Sequence, residues 1–124
     1  MTSKEVGEKL VELCRANKAL EALSLYNPKA VSVEAQGSEA MPAVIEGVEK
    51  IRGKGEWWFA NNEVHGAQVR GPFPNGDRFA VIFNFDFTPK AGTFAGKRQK
   101  MEEVGLYTVE NGKIVREEFF YSMG

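Results

Sequence analysis

The last part of the chain, residues 101–121, consists of two runs in which apolar and polar residues alternate. Between them lies Glu110-Asn111-Gly112-Lys113, and Asn-Gly between alternating runs is a strong local signal for a β-hairpin. Successive side chains of a strand point to opposite faces of its sheet, so each run has one face that can be covered. The pattern predicts a terminal hairpin of two long strands.

Helical spacing of apolar residues predicts three helices in the first half. The first begins at Thr2-Ser3 and keeps an apolar side up to Cys14. A short second helix, 19–26, ends before Asn27-Pro28, because proline does not continue a helix. A third helix is predicted over 47–61, with one apolar side formed by Val48, Ile51, Trp58 and Phe59.

Strands are predicted for most of the remaining chain. They cover residues 30–35, 64–70 and 79–88 and the terminal hairpin, and loops are predicted over 36–46, 71–76 and 89–96. Early helices followed by a meander of long strands are typical of an α+β fold. We therefore expect an antiparallel sheet covered on one face by the helices.

Composition narrows the class of protein. With 124 residues, 43% hydrophobic and 27% charged, the chain is expected to form a single domain, residues 1–124. A formal charge of −1 without a block of like charges predicts neither a nucleic-acid nor a membrane partner. One cysteine permits no intrachain disulfide, and no spacing resembles a metal site. No segment has the length of a signal peptide core or a membrane span, so a cytoplasmic location is expected.

Two pairs of adjacent acids lie on the terminal strands, Glu102-Glu103 and Glu117-Glu118. Because neighbouring side chains alternate between faces, one member of each pair must point toward the covered face. A covered carboxylate costs several kcal/mol unless it is paired, hydrogen bonded or neutralised. These acids are therefore either bonded into a network or available for chemistry.

The register of the hairpin decides which acids are covered, and two registers are open. A two-residue turn would pair Val109 with Ile114 and place Glu103 on the same face as Glu118. A three-residue loop with Gly112 in a bulge would pair Val109 with Lys113 and place Glu103 on the same face as Glu117.

The order of these elements resembles the nuclear transport factor 2-like superfamily, and within it the SnoaL-like proteins. The resemblance is carried by LEALSLY (20–26) leading into AVSVEA (30–35), EGVEKIRG (46–53), GDRFAVIF (76–83) and YTVENGKIVREEFF (107–120). It implies a cone-shaped α+β fold in which a curved antiparallel or mixed sheet wraps around three N-terminal helices, with a pocket at the open end. Because such folds carry many chemistries, the fold alone does not define the reaction.

Ketosteroid isomerase belongs to the same superfamily, and its three catalytic positions are empty in this chain. Its base aspartate corresponds to Ala35, its oxyanion tyrosine to Val11 or Cys14, and its second acid falls close to Gly105. The resemblance therefore argues against steroid isomerisation by that route.

The same resemblance favours the three-residue register, in which Glu103 lies opposite Phe119 and diagonal to Glu117. His65, on the same side of its strand as Ala67 and Val69, is then expected to face the same cavity. Two neighbouring carboxylates resist ionising together, so one pKa should rise and the pair should titrate as a unit. Glu103, Glu117 and His65 are therefore the predicted catalytic set for proton transfer.

A structural interpretation stands beside this hypothesis. Both acids could be bonded to Arg98, Lys100, Arg116 or a buried backbone amide, and His65 could be a hydrogen-bonded structural histidine. Raised carboxylate pKa values in an open cavity would favour an enzyme, whereas carboxylates held by lysine or arginine would favour binding or structure.

The predicted ligand is a small, largely apolar molecule. The residues expected to contact it are Trp58, Phe83, Phe85, Tyr107, Phe119 and Tyr121. With no cofactor and no metal expected, the leading hypothesis is a cofactor-free isomerase, cyclase, hydratase or hydrolase. The alternative is a ligand-binding or dimeric interaction protein without turnover.

The other face of the sheet is predicted to carry an apolar strip with a charged rim. Its apolar residues are Ile82, Val104, Leu106, Ile114 and Phe120, among Glu102, Arg116 and Glu118. A strip of this kind that no helix covers is typical of an interface, and relatives with this fold commonly form dimers through this face. A homodimer is therefore expected.

Overall fold

A computed structural model describes residues 1–37 and 41–122. Its helical elements are α1 (Ser3–Arg15), a 3₁₀ helix (Ala19–Leu25) and α2 (Val48–Asn61). Its strands are β1 (Tyr26–Val33), β2 (Val44–Glu46), β3 (Asn62–Asn75), β4 (Arg78–Pro89), β5 (Gln99–Glu110) and β6 (Lys113–Phe120). The α+β class and the three early helices are as predicted.

The six strands form one mixed sheet in the order β2-β1-β6-β5-β4-β3. The pairing of β1 with β6 is parallel, and every other pair is antiparallel. The helices pack on one face, which we call the inner face, and buried side chains from both layers form a continuous core. Within the described residues, no helix is long and apolar enough to cross a membrane.

Helix α1 begins as its sequence predicts. The Thr2 side chain accepts a hydrogen bond from the backbone N–H of Glu5, and the Glu5 side chain accepts one from the backbone N–H of Thr2. This capping box satisfies two of the N–H groups that a helix start leaves without partners. Val6, Leu10 and Val11 then bury the inner side of the helix.

The segment after α1 differs from the prediction in two places. The second helix is a 3₁₀ helix that ends at Leu25, and β1 already begins at Tyr26, although the strand was expected from residue 30. Pro28 is tolerated because the pairing of β1 with β6 is interrupted between Tyr26 and Val31. The loop predicted over 36–46 contains β2, which pairs with residues 31–33 of β1. With three residues, β2 is too short to show the alternation of apolar and polar residues that predicts a strand. Residues 38–40 of that loop lie outside the described residues.

Strand β3 is longer than predicted. The expected turn at 71–76 is largely part of the strand, and the chain reverses at Gly76-Asp77, after Asn75 has paired with Arg78. The register shifts between Arg70 and Phe73, so Gly71 and Pro72 are accommodated as an irregularity rather than as a turn.

The terminal hairpin combines features of both predicted registers. Val109 pairs with Ile114 around a two-residue turn in which Asn111 and Gly112 both have positive φ, at 52° and 75°. Val115 is then an extra residue, because the next pair is Thr108 with Arg116. The favoured pairing of Val109 with Lys113 is therefore wrong.

The bulge in β6 nevertheless brings the predicted residues onto one face. Tyr107 pairs with Glu117 and Gly105 with Phe119, so Glu117, rather than Glu118, shares the inner face with Glu103. The predicted opposition of Glu103 to Phe119 is wrong, because Phe119 pairs with Gly105, two residues further along β5. Ile114, which was expected on the outer face, is completely buried, because it precedes the bulge and therefore points inward.

Candidate active site

A cavity of about 620 Å³ lies between the inner face of the sheet, the 3₁₀ helix and α2. Its wall is mostly apolar, and its polar lining is concentrated at Glu34, Lys54, Glu103 and Glu117 together with tyrosines. The six residues predicted to contact a ligand all line it: Trp58, Phe83, Phe85, Tyr107, Phe119 and Tyr121. Their part in binding stays a prediction.

Aromatic rings form one continuous wall of the cavity. The Trp58 ring lies 5.3 Å from Phe85 and 5.5 Å from Phe87 between ring centroids, and Phe83 stacks on Phe85 at 6.1 Å. Trp58 reaches the strand because it follows Ile51 by seven residues, two turns along the inner side of α2. This wall joins the helix layer to the sheet and gives the cavity its apolar character.

Glu117 lies at the base of the cavity, where its side chain is held on both oxygens. The Tyr26 hydroxyl donates to Oε1, and the Ser32 hydroxyl donates to Oε2 at 2.6 Å. The Lys54 ammonium lies 3.8 Å from Oε2. Burial raises the pKa of Glu117, and Lys54, Ser32 and Tyr26 oppose that shift. With only 3% of the residue exposed, Glu117 is positioned to organise the site.

Lys54 joins Glu117 to a second, less buried carboxylate that lines the cavity, Glu34. Its Nζ donates to Glu34 at 2.6 Å and to the Ser32 hydroxyl at 2.6 Å, and it lies 5.2 Å from the centroid of the Phe119 ring. The Tyr121 hydroxyl donates to the other oxygen of Glu34 at 2.8 Å. The chain of contacts therefore runs from Tyr26 through Glu117 and Lys54 to Tyr121.

Glu103 faces the same cavity but lies outside this network. Within residues 1–37 and 41–122, no side chain or backbone group donates a hydrogen bond to its carboxyl, and no cation lies within 4.0 Å. The pKa of Glu103 is raised from 4.5 to about 7, mainly by burial and also by the charges of Glu34 and Glu117, while the Lys54 ammonium opposes the shift. A carboxyl with this pKa exchanges protons readily near neutral pH.

Gly105 makes room for Tyr107 beside the two acids. A Cβ at position 105 would lie 2.8 Å from Cε2 of Tyr107 and 3.2 Å from Cε1 of Phe119. The Tyr107 ring therefore lies along the sheet, stacked on Phe79 at 4.9 Å and edge-to-face with Phe119 at 6.2 Å. The space left by the missing side chain of Gly105 is therefore filled by the Tyr107 ring.

His65 does not lie in the cavity, so its predicted position is wrong. Its side chain is exposed, and Nε2 lies 2.7 Å from the Thr88 hydroxyl. The reason is a bulge in β3: Val64 pairs with Phe87 and Gly66 with Asp86, so His65 is an extra residue between them. The bulge interrupts the alternation of side chains along β3, so His65 does not share a face with Ala67 and Val69 as expected.

The cationic partners proposed from sequence are also different in the structure. Arg98 donates two hydrogen bonds to the Asp86 carboxylate, at 2.8 and 2.7 Å, and Arg116 donates one to Glu118 at 3.0 Å. The cation that holds Glu117 is Lys54, which the sequence reasoning did not identify. The sequence indicated Lys54 by its spacing alone: it lies between Ile51 and Trp58 on the same side of the predicted helix.

Strand β1 supplies the remaining residues that were missed. Its pattern alternates Val31 and Val33 with Ser32 and Glu34, and the polar set faces the cavity while the valines face outward. This is the reverse of a usual half-buried strand. Among the described residues, no group of three or more histidine, cysteine, aspartate or glutamate side chains could hold a metal ion.

The sequence model of the SnoaL-like domain matches residues 1–121, so the chain belongs to the SnoaL-like family. A Mesorhizobium loti protein is 46% identical, with a TM-score of 0.89 over 98% of this chain and 100% of that one. That protein is provisionally described as a SnoaL-like polyketide cyclase, with carbohydrate phosphatase as a second description.

More distant structures share the fold. A nuclear transport factor 2-like protein of Burkholderia thailandensis is 15% identical, with a TM-score of 0.82 over 98% of this chain and 92% of that one. A Catenulispora acidiphila protein with a ketosteroid isomerase-like fold, solved in complex with trimethylamine, is 18% identical, with a TM-score of 0.72 over 98% and 88%. Among curated proteins the chain has no significant match.

Proposed function

We propose that this SnoaL-like protein binds a small, largely apolar molecule in its cavity and moves a proton on it without a cofactor, with Glu103 as the general base and acid. The observation that carries the proposal is the Glu103 carboxyl, which faces an aromatic cavity without a hydrogen-bond donor among the described residues. Isomerisation and cyclisation are the reactions that such a single, reversible proton carrier serves best.

The two acids have separate parts in this proposal. Glu103 takes and returns the proton, because its pKa of about 7 lets it exist in both forms near neutral pH. Glu117 is a positioning residue, since its oxygens are already occupied by Tyr26 and Ser32. Its charge, together with that of Glu34, helps to raise the pKa of Glu103. The exposed His65 has no part in the step.

Deuterium exchange of a carbon acid tests the step directly. 2-Tetralone in D₂O, followed by proton NMR, should exchange its C1 protons faster with the protein than with buffer, and Glu103→Gln should reduce the enzymatic rate about 10²–10⁴-fold. Glu102→Gln is the matched control, because Glu102 is the neighbouring acid on the exposed face. An unchanged rate in Glu103→Gln would contradict the assignment.

Binding without turnover is the second candidate, and the hydrogen-bonded state of Glu117 favours it. In that case the Tyr26–Glu117–Lys54 network stabilises the walls of the cavity, and the sole role of Glu103 is to set which ligand is preferred. 2-Tetralone would then perturb the NMR signals of Trp58 and Phe85 without any protein-dependent exchange at C1.

We also propose a homodimer formed through the outer face of the sheet. Ile82, Val104 and Phe120 are cross-strand neighbours there, and Phe120 is 52% exposed. Arg116 and Glu118 form an ion pair within the same surface, which a two-fold partner could match with its own pair. An apolar centre with a polar, charged rim is the composition of a specific interface.

A further inference from the structure

More acidic than basic side chains line the cavity. Among the described residues that line it, three are carboxylates, Glu34, Glu103 and Glu117, and one is an ammonium, Lys54. Lys54 is already engaged, at 2.6 Å from Glu34 and 3.8 Å from Glu117. Its single charge therefore serves two carboxylates before a ligand enters, and Glu103 has no cation within 4.0 Å among those residues.

The wall beside Glu103 is aromatic. Phe83 is its direct cross-strand neighbour on β4, and Phe83 continues through Phe85 to Trp58. Faces of aromatic rings attract cations, most strongly where water is excluded. The site already contains one such contact, since the Lys54 ammonium lies 5.2 Å from the Phe119 ring centroid.

We infer that the cavity selects an organic cation, a protonated or quaternary amine with an apolar body, whose charge lies between Glu103 and the aromatic wall. This inference rests on the proposed function, because it names the ligand class of the same cavity. A neutral ligand would remove water from Glu103 without offering a counter-charge, and an anion would enter a cavity lined by three acidic side chains and one lysine. A cation supplies the charge that Glu103 lacks and uses the aromatic faces as well.

The groups that face Glu103 define how binding depends on pH. They are Glu34 after β1, Lys54 on α2 and Glu117 on β6. Cys14, Tyr26, Tyr107 and Tyr121 also line the cavity, but burial raises their pKa values, so they are uncharged near pH 7. Affinity for a cation should therefore increase as pH rises through the Glu103 pKa of about 7, because the carboxylate form binds it.

Benzylamine and benzyl alcohol form a suitable pair of probes, since they share an aromatic body and differ in charge. We expect the amine, which stays protonated between pH 5.5 and pH 8, to bind at least about ten-fold more tightly than the alcohol at pH 8, by NMR titration of the intact protein. At pH 5.5 this preference should fall at least about three-fold. Equal affinities at pH 8 would overturn the inference.

Glu103→Gln assigns the effect, with Glu102→Gln as its control on the exposed face. Glu103→Gln should lose most of the preference for the amine while keeping its affinity for the alcohol, and Glu102→Gln should bind as the natural protein does. A preference that survives in Glu103→Gln would overturn the inference. Tight alcohol binding without any preference would overturn it too, yet leave the proposed cavity function intact. Binding of neither compound would count against both.

Discussion

Glu103 and Glu117 lie on adjacent strands and face one cavity, but their surroundings are opposite. Glu117 accepts hydrogen bonds from Tyr26 and Ser32, whereas within the described chain the Glu103 carboxyl accepts none. Both carboxyls have raised pKa values because both are removed from water. One acid therefore has the contacts of a structural residue, and the other has the freedom of a proton carrier.

Removing the Glu117 side chain should strongly destabilise the protein. Glu117→Ala leaves Tyr26, Ser32 and Lys54 without their buried acceptor, so the free energy of unfolding should fall by about 3–5 kcal/mol. Urea denaturation followed by tryptophan fluorescence measures this. Glu12→Gln is the control: its ion pair with Lys9 on α1 is exposed to solvent, and the expected change is about 0–1 kcal/mol. Similar losses in both variants would argue against a structural Glu117.

Glu103→Gln should stabilise the protein at neutral and alkaline pH. The unfolded carboxyl loses its proton near 4.5 and the folded one near 7, so between these values the folded state binds more protons and stability falls as pH rises. Removing the charge should recover roughly 2–3 kcal/mol at pH 8 and almost nothing at pH 4. Denaturation of both proteins across this range tests the prediction, and a gain that is equal at both pH values would contradict it.

Lys54→Met should be tolerated better in acid than in base. Without the ammonium, Glu34 and Glu117 lose their cation, and the pKa values of Glu103 and Glu117 rise further. The loss of stability relative to the natural protein should therefore be larger at pH 8 than at pH 5. Lys50→Met, on the exposed side of the same helix, is the control and should show little loss at either pH.

Replacement of glycine by alanine should have opposite effects on stability at two positions, 105 and 53. Gly105→Ala brings a methyl group to 2.8 Å from the Tyr107 ring and should destabilise by about 1–3 kcal/mol. Gly53→Ala, in α2, meets nothing within 4 Å and should stabilise by about 0.5–1 kcal/mol through helix propensity. Thermal denaturation compares them. A neutral Gly105→Ala would show that the Tyr107 ring can move aside.

Leu106→Glu tests the proposed dimer. Leu106 lies half-buried on the outer face between Ala80 and Glu118, so an added carboxylate would place like charges in the interface. Sedimentation should change from dimer to monomer without a change in the folded circular dichroism spectrum. Glu110→Gln, at the exposed end of β5, should leave the dimer intact. A Leu106→Glu dimer would place the interface elsewhere.

Much of the fold is predictable because its signals are local. The capping box of α1, the Asn-Gly hairpin and the alternation in β4 each define an element within a few residues of sequence. The site depends on irregularities that leave little local trace. The extra residue Val115 shifts the hairpin register, and the extra residue His65 turns that side chain outward. Periodicity assumes regular strands, so it fails at bulges.

The polar network was harder to predict because its members come from distant segments. Tyr26, Ser32 and Lys54 meet Glu117 only when β1 pairs in parallel with β6 and α2 crosses over them. The same pairing explains why the polar side chains of β1 face the cavity, since Ser32 lies beside Glu117. A strand pattern shows that two faces differ, but only the fold shows which face is covered.

The pH titration of the Glu103 side-chain carboxyl by carbon-13 NMR tests the central claim most directly, with Glu103→Gln to assign the signal. A midpoint near 7 is expected, because burial and the charges of Glu34 and Glu117 favour the protonated form. That result would place a proton carrier in the cavity at neutral pH. A midpoint near the ordinary 4.5 would mean that water or a partner solvates Glu103, and would contradict its role as the acid and base.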